Sequence, residues 1–301
     1  MPRRFVTLDV FTREALAGNP LAVVLDAEGL DTERMQQIAK EFNLSETVFI
    51  LPPADERHRA RLRIFTTGRE LPFAGHPTVG AAVLLTLRDR NDAVSAAAFG
   101  FEQTIGVVTC VAEVEDDRHG RARFRVPRLP QIWGEGRDSA EVAWALGLDP
   151  KDIGFDRHEP SRHSAGVAYD LVPVRSLDAI GRAQPNHEAF NKVFGDSEHP
   201  AVYVYTRETI RADHHFHARM FAPGFSLGED PATGSAVAAL TGALMQFEPM
   251  GEGVHSFTVE QGYEMGRPSE IALQLVIQSG ALVSAEIGGD AVIVSEGEIH
   301  L

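Results

Sequence analysis

The sequence predicts an α/β (α+β) protein of two similar domains, each a curved mixed sheet wrapped round a central helix. Three observations predict it. Arg63-Ile64-Phe65 is echoed by Arg219-Met220-Phe221. Roughly ten residues beyond each triplet comes a His-Pro or Asp-Pro step, His76-Pro77 and Asp230-Pro231. Each step opens a run of small and apolar residues, 78–85 and 232–240. Helices apolar nearly all round belong in an interior, so each run reads as a buried central helix.

The elements follow in order. Arg4 to Phe11 places Val6, Leu8 and Val10 on one face, the period of a strand. Gly18-Asn19-Pro20 reads as a turn and Leu21–Leu25 as a short strand. Asp31 or Thr32 caps a helix whose apolar stripe is Met35, Ile38, Ala39 and Phe42. Asn43-Leu44-Ser45-Glu46 leads into a strand from Thr47 to Leu51, and Arg61–Phe65 alternates again. Val107–Glu115 and Arg121–Val126 form a hairpin through Asp116-Asp117-Arg118-His119-Gly120. Two prolines around Arg128-Leu129 mark the domain boundary, giving domains over 1–127 and 128–287. Ile271–Ile277, Ala281–Ile287 and Ala291–Ser295 read as strands, with Gly288-Gly289-Asp290 turning between the last two. The final stretch, 288–301, is a candidate to complete the first domain.

Composition narrows the function. The 301 residues suit two domains, and 44% hydrophobic with 24% charged residues is a globular balance. Twenty-eight basic against 43 acidic residues leave a net charge of −15, which repels phosphate backbones and anionic lipid. Nucleic-acid and membrane partners are therefore not expected. The start of the chain shows no signal-peptide core, and no apolar run is long enough to span a bilayer, so a cytoplasmic protein is expected. A single cysteine, Cys110, rules out an intramolecular disulfide and any site needing two thiolates from one chain.

The candidate chemistry sits at element ends. Proline suits the first position of a helix, which would make Asp230 an N-cap. Helix N-termini hold anions, so the two buried helices could receive a small carboxylate. The plainer reading of Gly80, Gly234 and the alanines is close packing of helix on sheet. Likewise an N-capping Asp230 needs no functional account, and a carboxylate such as Glu46 in a connection is ordinarily solvated. Together, however, Glu46, His76 and Asp230 resemble an acid–base set. His214, His215 and His217 read as surface residues lacking acidic partners, and no metal is expected. Ser235 lacks nucleophile-elbow spacing, and the glycine-rich pieces lack a nucleotide fingerprint. Trp133 and Trp144 read as packing residues, and Cys110 as buried and inert.

The motifs resemble a known family. Asn43-Leu44-Ser45-Glu46-Thr47, Leu71-Pro72-Phe73-Ala74-Gly75-His76-Pro77-Thr78, Arg219-Met220-Phe221-Ala222-Pro223-Gly224 and Glu229-Asp230-Pro231-Ala232-Thr233-Gly234-Ser235-Ala236 are similar to signatures of the PhzF-type phenazine-biosynthesis family. Gly18-Asn19-Pro20 and Gln261-Gly262 with Met265-Gly266-Arg267-Pro268-Ser269 also match. The resemblance implies a diaminopimelate-epimerase-like fold of two domains about a pseudo-twofold axis, with the site between them. It also implies a homodimer and no cofactor. The family's best-known member isomerises trans-2,3-dihydro-3-hydroxyanthranilate. The resemblance makes Glu46 the residue that moves a proton between carbons, with His76 and Asp230 holding and polarising the substrate. Asn19, Ser45, Gly75, Thr233, Gly234 and Ser235 are the candidate substrate-binding positions, the last two cradling a carboxylate. Epimerase relatives that use two thiols are excluded by the cysteine count. The expected activity is proton transfer on a small cyclic or unsaturated carboxylate. Epimerisation or tautomerisation of an amino-acid derivative, and metabolite binding without turnover, remain open. Residues 157–168 and 224–228 are the expected pocket walls.

Overall fold

The computed structural model describes residues 2–90, 95–197, 200–222 and 228–301. The chain divides into two compact units, one of residues 1–127 with 287–301 and one of residues 128–286.

The first unit holds β1 (Arg3–Val10), β2 (Asn19–Val24), β3 (Glu46–Leu51), β4 (Ala60–Phe65), β5 (Glu70–Leu71), β6 (Ala96–Gln103), β7 (Gly106–Val114) and β8 (His119–Arg125) with two helices, α1 (Thr32–Phe42) and α2 (Gly75–Asp89). β1 is antiparallel to β2, β2 parallel to β3, β3 antiparallel to β4, β4 parallel to β6, and β6 antiparallel to β7. β7 continues into β8. α1 behaves as its stripe demands. Asp31 caps it through the Arg34 N–H, and Met35, Ile38 and Ala39 pack with Phe49, Leu51 and Phe65. α2 is buried from Gly75 through Thr86, as an apolar helix must be. Gly80 permits its approach, because a Cβ there would sit 2.5 Å from Leu21 and 2.9 Å from Val10.

The second unit holds β9 (Gln131–Ile132), α3 (Ser139–Leu146), β10 (Ser161–Ser164), β11 (Ala168–Pro173), α4 (Leu177–Arg182), α5 (His187–Phe194), β12 (Val202–Thr206), β13 (Phe216–Ala222), β14 (Gly228–Asp230), α6 (Gly234–Phe247), β15 (Gly253–Gln261) and β16 (Ser269–Gln278). From β10 its strands pair as antiparallel, parallel, antiparallel, parallel, antiparallel, the order found from β1. The triplet repeat has a matching geometry. Arg63 forks onto Glu70 of β5 and Arg219 onto Glu229 of β14, each beside the phenylalanine two residues on. α6, like α2, is apolar and buried. The fold is thus the α/β architecture expected, a mixed sheet against a central helix in each unit.

The sequence reading and the structure part at the tail. Gly288-Gly289-Asp290 makes no turn: β17 (Ala281–Ile299) runs through it unbroken. Gly288 is required by close approach, since a Cβ would lie 2.7 Å from the Ala122 carbonyl on β8. From Ala291 to Ile299 β17 pairs with β1, with a register shift between Thr7 and Leu8, and it also pairs with β8. The first unit's sheet therefore closes on itself around α2.

Candidate active site

In the first unit the site residues gather where β2, β3 and α2 begin. Asn43 ends α1 in the left-handed region, φ 52°, its N–H on the Ala39 carbonyl. Asparagine tolerates that conformation, so it turns the chain sharply into β3. Glu46 follows as the first residue of β3, paired with Leu21 of β2. Ser45 precedes it and is partly exposed. Asn19 opens β2, fully buried opposite Val10. Gly75 and His76 are the first two residues of α2. His76 Nε2 lies 3.4 Å from Glu46 Oε2, with the glutamate side chain 16% exposed. Glu46 is therefore a mostly buried carboxylate, where sequence position alone suggests a solvated one. Burial pushes the His76 pKa down to about 3, so the ring is neutral. Its meeting with Glu46 is a contact between a neutral imidazole and a carboxyl group, not an ion pair.

In the second unit the Asp230–Ser235 segment is braced from below. Asp230 is not the helix N-cap that the Asp-Pro step suggests. It ends β14, and Thr233 takes the cap position of α6. Nor is Pro231 or Pro77 a first helical residue, since α6 opens at Gly234 and α2 at Gly75. Around Asp230 the reason lies in Gln261. Its Oε1 accepts from the Thr233 N–H (3.1 Å) and the Tyr203 hydroxyl (3.2 Å), and its Nε2 donates to the Asp230 carbonyl (2.7 Å) and Thr233 Oγ1 (3.1 Å). All four hydrogen-bonding positions of this buried amide are used. Thr233 passes the constraint on, its hydroxyl donating to Asp230 Oδ2 at 2.5 Å. Ser235, in the first turn of α6, shares a 2.7 Å hydrogen bond with the Tyr169 hydroxyl. Burial raises the Tyr203 pKa well above its ordinary value, with the nearby Tyr169 and Asp230 adding to the effect, so its hydroxyl stays protonated as a donor.

The helix starts differ in kind. α1, α3, α4 and α5 are capped by the side chains of Asp31, Asp138, Ser176 and Asn186. α2 and α6 begin on Ala74 and Thr233 with no side-chain cap. Gly75, Gly234 and Ser235 thus occupy first turns whose N–H groups meet no capping side chain.

Two further expectations need correcting. His214 and His217 are buried rather than on the surface, and they have acidic partners: both face Glu260, and His217 also faces Glu264. The acids were invisible because they lie some 45 residues downstream on β15 and just after it. Among the described residues no group of three or more His, Cys, Asp or Glu is arranged to hold a metal. Trp133 and Trp144 are 39% and 50% exposed, covered by Arg162 and Lys192 over their rings. Cys110 is buried in β7, its thiol pushed up to about 12 by burial. Residues 157–168 carry β10 and the buried His158, while 224–227 of the second expected wall lie outside the described residues. Gln261, Tyr169 and Tyr203 were not singled out from sequence. Only Gln261 left a signal there, its place in the Gln-Gly motif.

The fold and its relatives define an isomerase. The crystal structure of a Bacillus anthracis phenazine biosynthesis protein of the PhzF family matches with a TM-score of 0.88, at 28% identity, over 100% of both chains. An uncharacterised isomerase of Mesorhizobium japonicum is 47% identical over 99% of both chains. The trans-2,3-dihydro-3-hydroxyanthranilate isomerase of Pseudomonas aeruginosa is 32% identical, again over 99% of both. Residues 8–297 match the PhzC-PhzF family, described as phenazine biosynthesis-like protein, and the chain belongs to that family.

Proposed function

We propose that this isomerase moves a proton between carbons of a small cyclic or unsaturated carboxylate, with Glu46 as the general acid and base and no cofactor. The observation that carries the reading is the mostly buried Glu46 carboxylate 3.4 Å from a neutral His76. An imidazolium at that distance would hold Glu46 as a tight ion pair and weaken it as a base. A neutral ring orients the carboxylate and leaves its proton affinity available. Glu46 takes the proton from one carbon and returns it to another, so charge and atoms balance without a second acid. His76 and Asp230 hold and polarise the substrate's polar groups. The uncapped start of α6, with Thr233, Gly234 and Ser235, takes the carboxylate, and Asn19, Ser45 and Gly75 complete the binding set. The P. aeruginosa relative, named for its substrate, supports trans-2,3-dihydro-3-hydroxyanthranilate or a close analogue. A cytoplasmic homodimer belongs to the same proposal; the homodimer rests on the family resemblance.

Thiol-based proton exchange has little support, since Cys110 is buried and its thiol stays protonated. The test is Glu46→Gln, which keeps shape and removes proton transfer. With trans-2,3-dihydro-3-hydroxyanthranilate as the first substrate tried, turnover should fall by about 10²–10⁴ with KM nearly kept. A variant retaining more than about a tenth of wild-type kcat would sink the mechanism, because general acid–base catalysis is worth far more than that.

A further inference from the structure

His217 has no part in the proposed proton transfer, yet both of its ring nitrogens face a carboxylate. It lies in β13, fully buried. Its Nδ1 is 2.8 Å from Glu260 Oε1 and its Nε2 is 2.9 Å from Glu264 Oε1. A neutral imidazole has one N–H and one lone pair, so it can satisfy only one of two facing carboxylates. The imidazolium, with two N–H donors, satisfies both. Glu260 cannot turn away, because it also accepts from the N–H groups of Ile210 (2.5 Å) and Arg211 (3.3 Å) and faces His214 Nδ1 at 2.7 Å.

The consequence runs along β15. Successive side chains of a strand point to opposite faces, so Glu260 turns to His217 while Gln261 turns to Thr233 and Asp230. Glu264 lies in the segment after β15, whose Gly262 abuts the Pro231 carbonyl and whose end, Ser269, donates to that carbonyl at 3.3 Å. His217 is thus bonded to the residues on either side of the corner that carries Gln261.

We propose that His217 works as a buried imidazolium clamp, a positioning residue that fixes the 260–264 corner so that Gln261 and Thr233 hold Asp230 in place. The catalytic importance of Asp230 rests on the reading above, but the clamp does not. The groups around His217 agree on its charge. Burial pulls its pKa down, and the hydrogen bonds and charges of Glu260 and Glu264 more than reverse this, raising it to about 9. Both glutamates stay ionised: burial favours their neutral forms, but it is outweighed by the bonds to His217 together with those from Ile210, His214 and Arg211 on Glu260, and by the His217 bond together with the charges of His217 and Arg219 on Glu264. Tyr263 lies 5.7 Å from the His217 ring, Arg219 of β13 is paired with Glu229, and Glu270 is taken by Arg211 and faces His214. Because the folded value exceeds the unfolded one of about 6.5, the clamp contributes fully below that pH and is lost as pH rises through about 9.

Nuclear magnetic resonance of the whole protein, labelled with ¹⁵N, tests this without any substrate. Both ring nitrogens of His217 should show the imidazolium form at neutral pH and titrate with a midpoint near 9. The Thr233 amide and the Gln261 side-chain amide should move with the same midpoint. In Glu264→Gln the His217 midpoint should fall by about 1–3 pH units, and the two reporters should follow it. His217→Gln, if it folds, should abolish the alkaline movement of both. Breaking a buried pair is costly, so Glu264→Gln, at a partly exposed position, decides the matter if His217→Gln does not fold. A neutral His217 at neutral pH overturns the proposal. So do Thr233 and Gln261 resonances that stay still while His217 titrates.

Discussion

At Gly262 the backbone has φ +81°, and an added Cβ would sit 2.4 Å from the Arg267 carbonyl and 2.6 Å from that of Pro231. Neither obstacle is the yielding end of a side chain. Gly262→Ala should therefore cost about 1–3 kcal/mol through overpacking, with the left-handed conformation adding to it. Calorimetry should show a fall of several degrees in Tm, about 2–4 °C per kcal/mol for larger domains. An unchanged Tm would mean that the corner is looser than its contacts imply. The candidate site was read from the sequence because the chemistry-bearing types sit in short motifs: Glu46, His76 and Asp230 all stood out. What stayed hidden were partners distant in sequence. Nothing near His217 announces Glu260 and Glu264, and nothing near Ser235 announces Tyr169, because strand pairing brings them together.

For the elements, legibility followed the strength of the local signal. α1 shows a stripe and an Asp31 cap, and it forms where both predict. Asp31→Ala should cost about 1 kcal/mol, while Asp31→Asn should cost a few tenths at most. Chemical denaturation would show the first as a lowered midpoint with an unchanged slope, and equal losses for both would argue that the Arg34 N–H bond is not what matters. Between residues 131 and 206 the reading named no elements, although α3 carries both Asp138 as a cap and Gly147 as a left-handed stop. α4 and α5 are only 6 and 8 residues long, and so short a segment shows little periodicity. The misread Gly288-Gly289-Asp290 has another cause. Glycines that mark a hairpin and glycines that admit a neighbouring strand look identical in sequence, and here β8 is that neighbour. Asp230 was drawn into a cap by its proline, but β14 pairs it with Met220 of β13 and Gln261 fixes its carbonyl.

At the level of the whole molecule, the first unit is assembled from both ends of the described sequence. Val6, Leu8 and Val10 are fully buried on β1, and β17 supplies one of that strand's two partners. Removing residues 287–301 should thus leave the first unit without a cooperative fold. Hydrogen exchange should find its amides unprotected, with those of residues 128–286 better protected. Wild-type protection of β1 in the shortened chain would contradict this. The Thr7 and Ser295 hydroxyls, 2.7 Å apart in space, are separated by 288 positions along the chain. At roughly 5–20 residues per second, a ribosome needs about 15–60 s to travel between them. For that interval the nascent chain carries an unmatched strand edge, while the contiguous second unit is completed first. Newborn molecules should therefore lean on chaperones before β17 emerges, a demand set by the order of synthesis rather than by final stability.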